Sequence, residues 1–193
     1  MEIRPVGRTA VLVEVGDSRD AVSLAAWARE RALAREVVPG ARTVLLDGLG
    51  DHDAVAGALA GWRPTPAEIG PEVELRVTYD GPDLEFVARA WDCDIEEVSK
   101  RHQGTVFVSA FCGFAPGFAY LSGLEADVPR LASPRTRVPA GAVALAGSWC
   151  GVYPTASPGG WRIIGRTDAT LWDAERDHPA LLAPGTRVRF VGS

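Results

Sequence analysis

The sequence predicts an α+β protein in which a small α/β sandwich precedes an all-β barrel or sandwich. Three observations carry this. Residues 9–61 alternate strand-like and helix-like runs. Residues 62–71, "WRPTPAEIGP", hold three prolines and a glycine. Proline removes a backbone donor and biases its predecessor toward extended shapes, so this stretch reads as an inter-domain connection. After residue 111, Gly and Pro recur every few residues between short apolar runs, the pattern of short strands joined by tight turns. The expected domains are therefore 1–71 and 72–193.

Each element has its own signal. "TAVLVEV" (9–15) is β-branched and apolar, a strand. Asp17 or Ser18 caps a helix whose apolar positions Ala21, Leu24, Ala25, Ala28 and Leu33 recur near helical spacing up to Glu36. Pro39-Gly40 stops it. "RTVLLDG" is a second strand, and Asp51 or Asp53 caps a short helix over "DHDAVAGALAGW". "EVELRVTY" (72–79) alternates Val73, Leu75, Val77 and Tyr79 with polar neighbours, a half-buried strand. "DGPDLEFVARAWDC" and "DIEEVSKRH" are helices, the second opened by Asp94 with Glu97 at the reciprocal position of a capping box. "TVFVSAF" is a strand. "RVPAGAVALAG", "CGVYP", "WRIIGRT" and "TRVRFVG" supply the short strands of the second domain.

Composition narrows the function. The net charge is -5 and no basic tract exists, so nucleic acid is not an expected partner. No apolar run reaches membrane-spanning length and the first residues lack a signal-peptide pattern, so a cytoplasmic location without a membrane partner is expected. The three cysteines fit neither a zinc nor a redox spacing and read as reduced, half-buried hydrophobes rather than nucleophiles. The three histidines lie far apart, so no metal site is expected. Phosphate-loop, dinucleotide and nucleophile-elbow motifs are missing.

The candidate chemistry lies in the second domain. "FCGFAPGFAYL" (111–121) packs four aromatic rings around two glycines and a proline. It reads as strand, turn, strand, with Phe111 and Tyr120 in the core and Phe114 and Phe118 facing a ligand or partner. Arg135 and Arg137 stand between Pro134 and Pro139. Their planar forks suit carboxylate or phosphate, unless they are plain surface arginines. Ser157-Pro158-Gly159-Gly160 either makes a hairpin turn or aims the N–H groups of Gly159, Gly160 and Trp161 inward as an anion nest. His102 ends a helix, where it serves either as a charge on the helix dipole or as a general base.

"GFAPGFAYLSGL" (113–124), "PRLASPRTRVPAGAVALAG" (129–147) and "GVYPTASPGGWRIIGRT" (151–167), in this order, resemble the family of the 5-oxoprolinase B subunit. That family overlaps allophanate hydrolase subunit 1, the carboxyltransferase-type domain of urea amidolyase and the Kip-type inhibitor of a histidine kinase. The resemblance implies a cyclophilin-like β-barrel as the second domain. It also implies a complex with an A and a C subunit, the latter like allophanate hydrolase subunit 2. Such a complex couples hydrolysis of ATP, with Mg, to opening of 5-oxoproline into L-glutamate. The alternatives it leaves are a binding module that inhibits a sensor kinase and a urea amidolyase-related carboxyltransferase component. Carried onto this chain, the expected catalytic residues are His102 and Arg135, the latter as clamp for a small carboxylate substrate. The expected substrate contacts are Phe114, Pro116, Gly117, Phe118, Tyr120, Ser157, Gly159, Gly160 and Trp161. Where relatives carry Gln-Thr this chain has Trp149-Cys150. Gln hydrogen-bonds an amide in two directions and Trp does not, so either the substrate differs or this Trp packs under the partner subunit.

Overall fold

The computed structural model describes residues 1–65 and 70–193, and the chain divides into two compact units, Met1–Ile69 and Gly70–Ser193. Part of the proline-rich connection lies outside the described residues.

In the first unit the elements are β1 (Glu2–Val6), β2 (Ala10–Glu14), α1 (Ser18–Glu30), β3 (Glu36–Pro39), β4 (Thr43–Asp47) and α2 (His52–Ala60). The strands form an antiparallel sheet in the order β1-β2-β4-β3. Asp17 caps α1 by accepting from the amides of Arg19 and Asp20, each at 2.9 Å. Ala21, Leu24, Ala25 and Ala28 fall on one helical face and are fully or almost fully buried with Val13, Val44 and Leu46. Asp51 caps α2. Two expectations need correction. Helix α1 ends at Glu30, and soon after it Ala32 takes a left-handed φ of 48°. The next apolar run, "EVVP", is β-branched and pairs with β4 as β3 instead of extending the helix. Strand β1 has no counterpart in the sequence reading, because its residues are mostly exposed and show no apolar alternation.

The second unit continues with β5 (Glu72–Val77), α3 (Leu84–Ala90), α4 (Ile95–Gly104), β6 (Phe107–Cys112), β7 (Ala119–Ser122), β8 (Arg135–Val138), β9 (Ala142–Ala146), β10 (Trp149–Val152), β11 (Ser157–Gly159), β12 (Arg162–Arg166) and β13 (Arg187–Gly192). Seven strands form one sheet, β12-β9-β10-β7-β6-β13-β5, and β11 and β8 make a separate ribbon. Neighbours in the large sheet are antiparallel except β13 and β5, which run parallel. Its two edges meet. Thr78, just past β5, exchanges amide–carbonyl bonds of 2.9 and 3.0 Å with Arg166 of β12, which closes the sheet into a barrel. Glycine permits this approach: a Cβ on Gly165 would lie 2.5 Å from the Thr78 carbonyl oxygen, and one on Gly81 2.3 Å from that of Ile163.

The enclosed core draws on the barrel strands through Leu75, Phe107, Leu121, Leu145, Val152, Ile164 and Phe190. Helices α3 and α4 add Val87 and Val98. Asp94 caps α4 by accepting from the Glu97 amide at 2.7 Å, while the Glu97 carboxylate turns to Arg101 at 2.9 Å rather than back to the cap. The fold class expected from the sequence, α+β with a β-barrel, is the fold observed.

Candidate functional site

The strand β9, "AVALA", is buried on both faces. Val143 and Leu145 point into the barrel, while Ala142, Ala144 and Ala146 point outward beneath a layer of rings. The small residues leave room for that layer. Gly151 on β10 does the same, since a Cβ there would lie 2.9 Å from the Phe118 ring and 3.0 Å from Trp161. Phe118 sits at the hub, with Phe114, Tyr120, Tyr153 and Trp161 edge-on at 5.2 to 5.4 Å between centroids. Phe111 stacks on Tyr120 at 4.2 Å, and Trp149 meets both edge-on. Edge-to-face contacts of this kind stabilise by about 0.5–1.5 kcal/mol each beyond area burial. The three motifs singled out in the sequence thus converge on one outer face of the barrel.

Exposure within this layer differs from expectation. Phe114 is 61% exposed and Phe118 only 2%. Alternation along β7 turns Ala119 and Leu121 inward and Tyr120 outward, and Phe118 shares the parity of Tyr120 but is covered by its neighbours. Phe118 is therefore a core ring, while Phe111 and Tyr120 are half-buried rim rings. Phe114 holds φ at 68°, a left-handed conformation that bulky residues rarely adopt. Strain of this kind, about 1–3 kcal/mol, concentrates at sites where a side chain must be presented. Gly117, at φ 83°, backs onto Trp172, whose Cβ would lie 2.7 Å from a Cβ there. Pro116 borders a separate cleft of about 530 Å3 with Thr155, Asp168 and Trp172.

Arg135 is already engaged. Its Nη2 lies 3.0 and 2.9 Å from the two carboxylate oxygens of Asp83, and its Nη1 donates to the Trp161 carbonyl at 3.4 Å. Asp83 is 5% exposed and also accepts from the Ile163 amide at 2.7 Å and from Arg162 at 3.5 Å. The guanidinium expected to clamp a substrate carboxylate is thus held by a carboxylate of the chain itself. Sequence reasoning misses Asp83 because it stands at the start of α3, where an acidic residue reads as a cap. It makes no side-chain cap bond. Arg130, poised 5.8 Å over the Trp161 ring, is a cation that borders the aromatic layer.

The Gly-rich turn is not an open nest. Ser157–Gly159 is β11, paired with β8, and the Gly160 carbonyl accepts from the Leu131 amide at 2.8 Å. A Cβ on Gly159 would lie 2.3 Å from the Tyr153 hydroxyl, so that hydroxyl fills the space beside the turn. Burial raises the pKa of Tyr153, partly offset by a backbone hydrogen bond from Trp161 and by the nearby charges of Arg130 and Arg135. The Ser157 hydroxyl is buried with no hydrogen-bond partner among the described residues.

His102 is remote from this face. It is fully buried inside the barrel between Phe107 and Phe190. The Tyr79 hydroxyl lies 2.7 Å from Nδ1 and the Cys150 Sγ 3.3 Å from Nε2. Burial lowers its pKa to about 3, so it is neutral at pH 7 and is not a charge on the helix dipole, and it exposes no surface to solvent. Burial likewise raises the pKa of Cys150, which removes it as a nucleophile. Trp149 and Cys150, adjacent in sequence, face opposite sides of the sheet. Among the described residues no three His, Cys, Asp or Glu side chains converge as a metal site, and no helix is long and apolar enough to cross a membrane.

Comparison with known proteins agrees with this architecture. The family model "Carboxyltransferase domain, subdomain C and D" matches residues 1–182. The 5-oxoprolinase B subunit of Escherichia coli O157:H7 is 39% identical over 207 residues, covering 96% of this chain and 93% of that protein. A crystal structure of TTHA0988 superposes with a TM-score of 0.81 at 32% identity and covers 96% of this chain, which spans 40% of that one. The urea amidolyase of K. lactis shares the fold, with a TM-score of 0.75 at 22% identity, over 99% of this chain and 15% of that one. With the barrel, the ordered motifs and a near full-length relative in agreement, the chain belongs to the carboxyltransferase-domain family, subdomains C and D, together with the 5-oxoprolinase B subunit it matches.

Proposed function

We propose that this chain is the B subunit of an ATP-dependent 5-oxoprolinase that works in the cytoplasm and opens 5-oxo-L-proline to L-glutamate together with an A and a C subunit. The observation that carries this reading is the 39% identity to a 5-oxoprolinase B subunit across nearly the whole of both chains. The likeness to urea amidolyase, at 22% identity, speaks for the fold alone.

The chemistry is compatible with the site. A lactam amide is a poor electrophile, and opening it needs an activated carbonyl, a dry pocket and a developing negative charge met by donors. Coupling to ATP supplies the activation, and that step belongs to the complex. This chain contributes the aromatic rim of Phe114, Tyr120 and Trp149, which keeps water from this face, the Ser157 hydroxyl as an unspent donor, and Arg130 as a nearby positive charge. His102 acts on the site through the packing of the barrel, and Arg135 through its pair with Asp83.

The test is reconstitution with the A and C subunits and measurement of ATP-dependent glutamate release from 5-oxoproline. Release only when all three components are present is expected, with a loss of about tenfold or more for Ser157→Ala. A complex that assembles but releases no glutamate sinks the reading.

A further inference from the structure

Beside the Arg135–Asp83 pair a cleft of about 400 Å3 opens, lined by Asp80, Pro82, Arg135, Arg137, Pro139 and Arg166 among others. Ala142 and Ile163 line it too and also belong to the layer under the rings, so cleft and rim share one face of the barrel. Arg135 and Arg137 are two apart on β8, and strand alternation sends both to the same side. Arg135 is held by Asp83 and Arg166 by Asp80, the latter at 2.8 Å. Among the described residues Arg137 makes no ion pair. Asp83 is shared by Arg135 and Arg162, and Asp80 holds Arg166, so Arg137 is the arginine of the cleft lining without a carboxylate partner among the described residues.

An unpaired guanidinium in a concave site with apolar walls offers parallel N–H donors in the geometry of a carboxylate. The Arg166–Asp80 pair is about half exposed on both sides and loses little when it opens. Arg166 is therefore available as a second donor.

We infer that this cleft binds a small monocarboxylate with a compact apolar body. Arg137 grips the carboxylate while Pro82, Pro139 and Ile163 wall the body. The planar fork of Arg137 pairs two parallel N–H donors with the two oxygens of a planar carboxylate, and the apolar walls suit a compact organic body rather than inorganic phosphate. With the function proposed above the ligand is 5-oxoproline itself, and that identification rests on that reading.

The full chain is titrated with 5-oxoproline, with its uncharged carboxamide and with inorganic phosphate, following the backbone amides of Gly81 and Gly165 and the Arg137 side-chain Nε–H by NMR. Saturable shifts with the acid are expected, and neither the carboxamide nor phosphate competes. Arg137→Ala weakens binding about tenfold or more, and Arg137→Lys by less. The shifts of the unsubstituted chain decide the matter even where a variant folds poorly. No saturable shift with the acid, preferential binding of phosphate, or unchanged affinity in a folded Arg137→Ala chain overturns the cleft. Binding here without glutamate release by the assembled complex overturns the substrate reading and leaves the cleft standing. Release that persists with no shift at the cleft does the reverse.

Discussion

The two faces of β9 are built on opposite plans. Inside the barrel, Val143 and Leu145 interlock with large aliphatic and aromatic side chains from the surrounding strands. Outside, three alanines form a smooth bed on which rings lie. The inner plan distributes volume evenly and hides it. The outer plan concentrates volume in a few rings, three of which stay half-exposed, and lifts Phe114 into solvent. A core needs only to exclude water, whereas a face that presents rings needs a flat support and a fixed rim. The difference separates stability from recognition within a single strand.

The contrast is open to attack, and the largest effect belongs to the anchor of the rim. Asp83→Ala strands two arginines and the Ile163 amide, and a loss of roughly 3–5 kcal/mol is expected in denaturant unfolding. A loss under about 1 kcal/mol would mean that the pair does not hold the outer layer. Next comes a paired test on β9. Leu145→Ala opens a cavity inside at a cost of about 2–5 kcal/mol, while Ala144→Leu overpacks the outer bed by about 1–3 kcal/mol. Reversal of that order would erase the distinction between the faces.

The pH dependence of stability probes the inner face through His102. Burial gives His102 a folded pKa of about 3 against an ordinary value of 6.5. Above pH 6.5 it is neutral in both states and costs nothing. As pH falls below 6.5 the unfolded chain takes up a proton that the folded chain refuses, so stability declines, by about 2 kcal/mol at pH 5. Unfolding midpoints measured between pH 7.5 and 5 should show this slope, and His102→Gln should flatten it. The smallest effect is expected at Phe114. Phe114→Ala changes stability by less than about 1 kcal/mol, because the ring it removes is mostly exposed. The same variant lowers activity of the assembled complex if the rim recognises substrate.

Period-2 alternation makes much of this visible in advance. "EVELRVTY" places Leu75 and Val77 on a buried face, and the inward and outward sets of β9 and β10 follow from the same rule. The caps Asp17, Asp51 and Asp94 are legible from local chemistry. What escapes depends on contacts between residues distant in sequence. Asp83 is a cap by position and an ion-pair hub by fold, with partners 52 and 79 residues away. His102 sits on a polar helix, and only the closing of β6 and β13 over it seals it from water. Phe118 and Phe114 have neighbours of similar composition, and the left-handed turn between strands decides which one is exposed.

The barrel is closed at its seam by the pair Thr78 and Arg166, continued by the Gly81 and Asp83 amides, which donate to the Ile164 and Ile163 carbonyls, with Ser193 bonded to Thr78 at 2.8 Å as a latch. A seam made by an isolated bridge and turn residues opens more readily than a strand paired along its length on both sides, as β9 is. Amide hydrogen exchange should therefore run faster at Thr78 and Arg166 than at Leu145 on β9. Asp80, Gly81, Gly165 and Arg166 at this seam also line the arginine cleft. A ligand seated there would rest across the join and slow that exchange, and equal rates with and without it would show that the two features are uncoupled.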